Sequence, residues 1–271
     1  MSKGIPDYFE LHKYNISPDD IVSLLLHCEP SKIRSSVIVT PIWNEELFLN
    51  HATKIESISE GSVYDISYKD KNITYIRSGV GAPQTGDVTL ALSCTPCQNV
   101  IFIGSAGGLH ESLIIGDLIL VNESISGDGF SNYLKNQILS PTSFFTSAKP
   151  NPELSSLLEE YAQSICRDSD ITLNKGTVFS IDTIIAQFFH LRYIHEKYGC
   201  IGIEMETSAV FNAASIVGLK AAALLQISDV IPVNKSLFSG RTEQDRLRRR
   251  HIRQAYLSKI VMDTLTDDRL H

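Results

Sequence analysis

The sequence is short of positive charge, of cysteine and of long apolar runs. Its 31 Asp and Glu outnumber 24 Lys and Arg, a formal net charge of −7. That balance argues against nucleic acid or an anionic membrane as partner, because both are normally met by a basic surface. No apolar run reaches the roughly 20 residues that span a bilayer. The opening Met1-Ser2-Lys3-Gly4-Ile5-Pro6-Asp7 lacks the shape of a signal peptide, so a cytoplasmic protein is expected. The five cysteines, Cys28, Cys94, Cys97, Cys166 and Cys200, are odd in number and scattered, which does not suggest a disulfide framework. Cys94 and Cys97 have C-x-x-C spacing but lack the second pair or the thioredoxin-like setting that zinc or redox chemistry needs. No metal-ligand cluster and no cofactor-binding fingerprint is visible, so neither a metal nor a cofactor is expected.

What is present is an ordinary globular composition: 271 residues, 43% hydrophobic and 20% charged. Short apolar runs alternate with stretches of helical spacing from one end to the other. Strands are expected over 37–39, 99–103, 117–121, 177–180, 200–203 and 221–227. A hairpin is expected from 63–68 and 73–76, joined by Lys69-Asp70-Lys71-Asn72. Helices are expected over 44–51, from 82 to about 93, over 152–166, 188–198, from 207 onward, and from 243 to 265. Ser17-Pro18-Asp19-Asp20 opens one more helix in an N-terminal extension, 1–36. Residues 131–151 have weak periodicity and read as a surface loop. The expected fold is a single α/β domain over 37–271, with a mixed central β-sheet flanked by helices in three layers. No internal repeat or linker interrupts it.

The densest chemistry is at Glu204-Met205-Glu206, where an apolar strand runs straight into a helix. In open α/β sheets ligands collect at the carboxyl ends of strands. Three other strand ends are also polar or glycine-rich: 104–108, Asp182-Thr183 and Ser228-Asp229. Taken singly, each has an ordinary reading: a tight turn, a helix cap, an acidic first helical turn. Together at one sheet edge they would supply amides, hydroxyls and carboxylates to one site.

Phe102-Ile-Gly-Ser-Ala-Gly-Gly-Leu109 followed by Gly116-Asp117, then Ile203-Glu-Met-Glu206, then Ile227-Ser-Asp-Val230, resembles the nucleoside phosphorylase and nucleosidase family in order and spacing. The likeness runs from about residue 37 to 265. It implies an enzyme that cleaves the N-glycosidic bond of a nucleoside. It also implies roles. Asp229 matches the acid that serves the departing base, and Glu206 matches the carboxylate that grips the ribose 2′- and 3′-hydroxyls. Met205 matches the residue packed on the sugar, and Glu204 reads as structural. Ser105, Ala106 and Gly107 fall where the family holds the nucleophile or sugar. Thr183, with Ile181, falls at the base pocket. His12 resembles an N-terminal histidine lent to a neighbouring subunit, which implies a homo-oligomer, dimeric or hexameric; a solvated surface histidine is its other reading.

The sequence departs from the phosphorylases where they bind phosphate. Their Gly-Asp-Pro-x-x-Arg loop reads Thr40-Pro41-Ile42-Trp43-Asn44-Glu45-Glu46 here, and the arginine of their Arg-x-Gly-Ser motif is Phe102. A third arginine should fall near Ser59 or Glu60, neither of which is basic. Arg77 and Arg241 could re-supply a cation, whereas Arg246, Arg248, Arg249, Arg250 and Arg253 read as a solvated or subunit-facing stripe. A pocket without cations cannot hold phosphate by charge-assisted bonds. Glu46, with Glu45 beside it, matches the nucleosidase glutamate that activates water, in the inverting arrangement of acid facing base. Hydrolysis is therefore favoured. The alternatives are a phosphorylase with rearranged ligands, using phosphate as co-substrate, and a non-catalytic nucleoside-binding protein.

Overall fold

Apolar strands carry side chains for two cores, one on each face of a sheet. The computed structural model describes residues 5–6, 9–135 and 144–270. In chain order the strands are β1 (Ser36–Thr40), β2 (Lys54–Ser59), β3 (Val63–Tyr68), β4 (Lys71–Arg77), β5 (Asn99–Gly108), β6 (Leu118–Gly127), β7 (Thr146–Ala148), β8 (Leu173–Ile181), β9 (Gly202–Glu204) and β10 (Lys220–Val230). The α-helices are α1 (Pro18–Leu26), α2 (Ala82–Leu92), α3 (Phe130–Lys135), α4 (Pro152–Arg167), α5 (Leu191–Tyr198), α6 (Thr207–Val217), α7 (Glu243–Ile252) and α8 (Ser258–Leu265).

The two-residue period of a strand sorts side chains to the two faces. Val37, Val39, Val100 and Phe102 join Leu26, Leu92, Phe211 and Ala214 beneath α1, α2 and α6. Ile38, Ile101 and Ile103 join Leu154, Leu158, Ile260 and Leu265 beneath α4 and α8. The sheet is mixed. β1 is parallel to β4 and β5, and the β2–β3–β4 meander is antiparallel. Beyond β5 the sheet closes on itself: β5 pairs with β10, β10 with β6, β6 with β8, β8 with β9, and β9 with β5 again. Five strands thus form a ring at one end of an otherwise open sheet.

Several local expectations are revised. Residues 44–51 form a 3-10 turn, Glu45–Phe48, and not a helix. β2 was not expected; its sequence, Lys-Ile-Glu-Ser-Ile-Ser, is an edge strand with mostly exposed side chains. The 131–151 segment is not a plain loop, since it begins inside α3 and includes β7; residues 136–143 of it lie outside the described residues. The 188–198 helix is a 3-10 turn, Ala186–Phe189, followed by α5. The last helix is α7 and α8 joined by a π-helical turn, Arg253–Leu257, closed by the Ser258 amide on the Arg253 carbonyl. The hairpin turn places both Lys69 and Asp70 at positive φ (48° and 59°), the backbone of a two-residue type I′ connection.

The turn at Glu45–Phe48 decides what faces inward. Leu47 and Phe48 are buried, with Phe48 edge-on to Tyr75 at 5.0 Å between ring centroids, whereas Leu49 is 64% exposed. Phe48→Ala is expected to cost about 3–5 kcal/mol and Leu49→Ala within about 0.5 kcal/mol. Urea unfolding of the two variants measures the difference, and equal losses would contradict this packing.

Candidate active site

The pairing of β5 with β10 sets the site. In parallel register Ser105 lies opposite Gln226, Ala106 opposite Ile227 and Gly107 opposite Asp229, with a shift between Ile227 and Asp229. The shift leaves Ser228 as the extra residue, and a bulge of this kind re-aims neighbouring side chains. The Ser228 hydroxyl lies 3.2 Å from the Ala106 carbonyl and donates to the Asp229 carboxylate. Gly107 sits closely against its neighbours: a Cβ there would stand a tight 3.3 Å from Ile203 and Ile231 and would touch Asp229 Oδ2 at 3.4 Å.

β9 delivers the other two carboxylates. Glu204 accepts from the amides of Glu206 and Thr207, both at 2.7 Å, and from the Ser180 hydroxyl. It satisfies donors at the start of α6, the structural task expected of it. Glu206 Oε1 accepts from the Gly81 amide at 2.7 Å. Gly81 stands at the N-cap of α2 with φ of 102°, backbone that glycine adopts without strain.

These elements enclose a cavity of about 440 Å³, within the range of small-molecule sites. Its walls include Ser105, Gly107, Thr183, Met205, Glu206 and Asp229, and also Arg241 and Arg249. Pro41, Ile42, Val80, Ile184 and Leu237 add apolar surface. Glu206 and Asp229 are 5% and 3% exposed. Burial, and then repulsion from Glu204, pushes the Glu206 carboxyl up to about 8. Burial also raises Asp229, opposed by the Ser228 hydrogen bond and by Arg241 and Arg249. The Arg249 guanidinium is depressed to about 10, chiefly by burial and then by its cationic neighbours Arg241 and Arg253.

Not every candidate residue reaches this cavity. Glu46 does not: it is exposed on the Glu45–Phe48 turn, which buries Leu47 and Phe48. Glu45 lies beside Tyr64 instead. Arg77 is held by the Asn44 side chain and the Gly61 carbonyl and does not line the cavity. Ala106 is buried and serves through its carbonyl. His12 is exposed and lines a separate small pocket in the N-terminal segment. Ile181 faces a second cavity of about 410 Å³, lined largely by aromatic side chains such as Phe145, Phe179 and Tyr198; Thr183 borders both cavities.

The expectation of a cavity without cations is overturned. Arg241 donates to the Ser228 and Leu237 carbonyls, at 3.3 and 3.0 Å. Arg249, from the supposed solvated stripe, lies 3.5 Å from the Ser105 hydroxyl. The sequence carried no local signal for Arg249: it shares a helix face with Ile252, whose burial only the fold reveals.

Residues 37–254 match the model of the phosphorylase superfamily. The chain belongs to this family. Its members are nucleoside phosphorylases and nucleosidases, enzymes that act on N-glycosidic bonds. Within the superfamily the chain is 24% identical over 221 residues to a DeoD-type purine nucleoside phosphorylase of Mycoplasma genitalium, covering 81% of this chain and 87% of that protein. Its fold matches a uridine phosphorylase from Vibrio fischeri, with a TM-score of 0.70 at 22% identity, covering 86% of this chain and 92% of the other. It also matches a 5'-methylthioadenosine/S-adenosyl homocysteine nucleosidase from Campylobacter jejuni, with a TM-score of 0.67 at 18% identity, covering 85% and 98%. The mixed sheet flanked by helices is thus the superfamily's fold. Among the described residues no helix is long and apolar enough to cross a membrane.

The raised Glu206 carboxyl has a consequence for stability. Its proton leaves the unfolded chain near the ordinary value of 4.5 and the folded chain near 8. The stabilisation is full below about 4.5 and lost as pH rises through about 8. Unfolding free energies of the ligand-free protein are expected to fall from pH 5 to pH 8. Glu206→Gln should flatten this slope and exceed the wild type at pH 8 by at least about 1 kcal/mol. Parallel stability–pH curves for the two proteins would contradict this assignment.

Proposed function

We propose that this chain cleaves the N-glycosidic bond of a nucleoside, with Asp229 as the acid that protonates the departing base. One observation carries the reading: the buried carboxylates of Glu206, just after β9, and Asp229, near the end of β10, line one cavity of nucleoside size. Bond breaking leaves an oxocarbenium-like sugar and a base gaining negative charge. A buried carboxyl with a raised proton affinity suits the protonation of that base. Glu206 takes the ribose hydroxyls, since an ionised carboxylate can accept two hydrogen bonds at once. Hydroxyl donors favour the charged form, so binding of the sugar draws the Glu206 proton off. Met205 packs on the sugar, and Thr183 and Ile184 border the base.

Two observations move the choice of attacking group away from water. Glu46, the residue proposed to activate water, is not in the cavity, and two guanidinium groups are. Phosphorolysis is accordingly the reading we adopt, and hydrolysis is its rival. Because His12 lies outside the cavity lining, any ribose contact it makes serves another copy of the chain, and we propose a homo-oligomeric, cytoplasmic enzyme.

A panel of purine and pyrimidine nucleosides, incubated with and without inorganic phosphate and assayed for released base, tests this. Base release that requires phosphate is expected. Release without phosphate would establish hydrolysis, and no release from any nucleoside would refute the reading. Asp229→Asn should lower kcat about 10²–10⁴-fold with KM changed only a few-fold, since its hydrogen bond matters most in the transition state. Equal losses in rate and affinity would make Asp229 a binding residue only.

A further inference from the structure

We propose that the second cavity, on the far side of Thr183, is a binding site for a free purine base carrying an amino group. It is separate from the reaction cavity. Only the choice of occupant rests on the reading above, because that reaction releases a heterocyclic base beside Thr183.

Three aromatic rings form a cup. The centroids of Phe145, Phe179 and Tyr198 stand 5.9 Å apart in each pairing, with the rings tilted by 32° to 46°. They are neither stacked nor edge-on, the arrangements in which rings satisfy one another. Two features mark the cup as built. Gly127 lies against Phe179: a Cβ there would stand 2.2 Å from the ring and 2.7 Å from the Ser180 carbonyl oxygen, so only glycine leaves the ring its place. Phe145 has φ of 64°, left-handed backbone that a bulky side chain rarely adopts. Its amide donates to the Ser126 carbonyl at 2.7 Å, which clamps it to the end of β6. Strain of this kind persists only where the surroundings impose it. Core packing does not offset it, because Phe145 is 50% exposed.

The polar groups select the occupant. Among the described residues no Lys or Arg lines this cavity, and Asp182 is its one acid. Asp182 Oδ2 accepts from the Gly129 amide at 2.8 Å, which leaves the other oxygen open to a donor. Ring faces stack on any base, and a carboxylate oxygen accepts from an exocyclic amino group. The volume of about 410 Å³ is that of a small-molecule site. A second copy of the chain is the rival occupant, since Phe144 and Tyr193 on the rim are also about half exposed. The concave form and the open carboxylate favour the small ligand.

Calorimetric titration of the full-length protein with adenine, and with unsubstituted purine, tests this. The proteins are wild type, Phe145→Leu, Tyr198→Leu, Asp182→Asn and, as control, Phe189→Ala, which is 89% exposed and lines neither cavity. Loss of one ring should weaken adenine about tenfold. Asp182→Asn should weaken adenine severalfold and purine hardly at all, and Phe189→Ala should match the wild type. Adenine held in the reaction cavity would not respond, since Phe145, Tyr198 and Asp182 are not among its walls. Adenine affinity unchanged in all three variants, or no binding to the wild type at millimolar concentration, overturns the proposal. Sedimentation of the same proteins covers the rival: ring variants that separate copies of the chain, where adenine does not, would give the cup to a second copy and also overturn it. Adenine binding through these rings in a protein that cleaves no nucleoside would refute the proposed reaction and leave this site standing.

Discussion

The parallel register of β5 against β10 is the constraint from which the site follows. Ten residue pairs are committed to it, broken once at Ser228, and the strands are buried along almost their whole length. A slip of one residue would send every side chain to the opposite face, placing the Val100 and Phe102 set where Ile101 and Ile103 now pack. The two cores therefore fix the pairing from both sides, and the bulge at Ser228 is the one departure they allow. That departure seats Asp229 opposite Gly107, with its carboxylate on the cavity wall.

The same closure concentrates charge. β9 enters the ring through only two residue pairs with β5 and three with β8, yet it carries Glu204 and Glu206 into a region with little water. Glu204 is tolerated because three donors hold it, two of them amides at the start of α6. Glu206 accepts from the Gly81 amide, and burial with repulsion from Glu204 raises its proton affinity. Arg249 presents the opposite situation, a cation short of partners. The cavity thus has an acid of raised proton affinity on one wall and a guanidinium on another.

Much of the fold was legible because strand–helix alternation is a local signal. The runs at 37–39, 99–103 and 221–227 are apolar enough to be buried on both faces, and they mark the middle of the sheet. The ring closure was not legible, because no local pattern says that β9 will bridge β5 and β8. β2 escaped notice since Ile55 and Ile58 are spaced by three and the remaining positions are polar, as suits an edge. In the site, motifs tied to strand ends were readable. Arg249 was not, because a run of arginines on a helix looks solvated until the facing sheet is known. Glu46 failed for another reason: its place was counted along the chain from the first strand, and position in the chain does not say which side of a turn faces a cavity.

The π-helical turn at Arg253–Leu257 bears on how this site could change over generations. Such a turn holds more residues than an α-helical one, so it sets the angular phase of α7 independently of α8, which is anchored by Ile260, Val261 and Leu265. Deleting a single codon within it would swing the arginine face by about 100° while α8 stayed locked in place. The phase set by this turn therefore decides which arginine meets the cavity, and Ile252 in the core and the Arg248–Asp117 pair hold that phase in place.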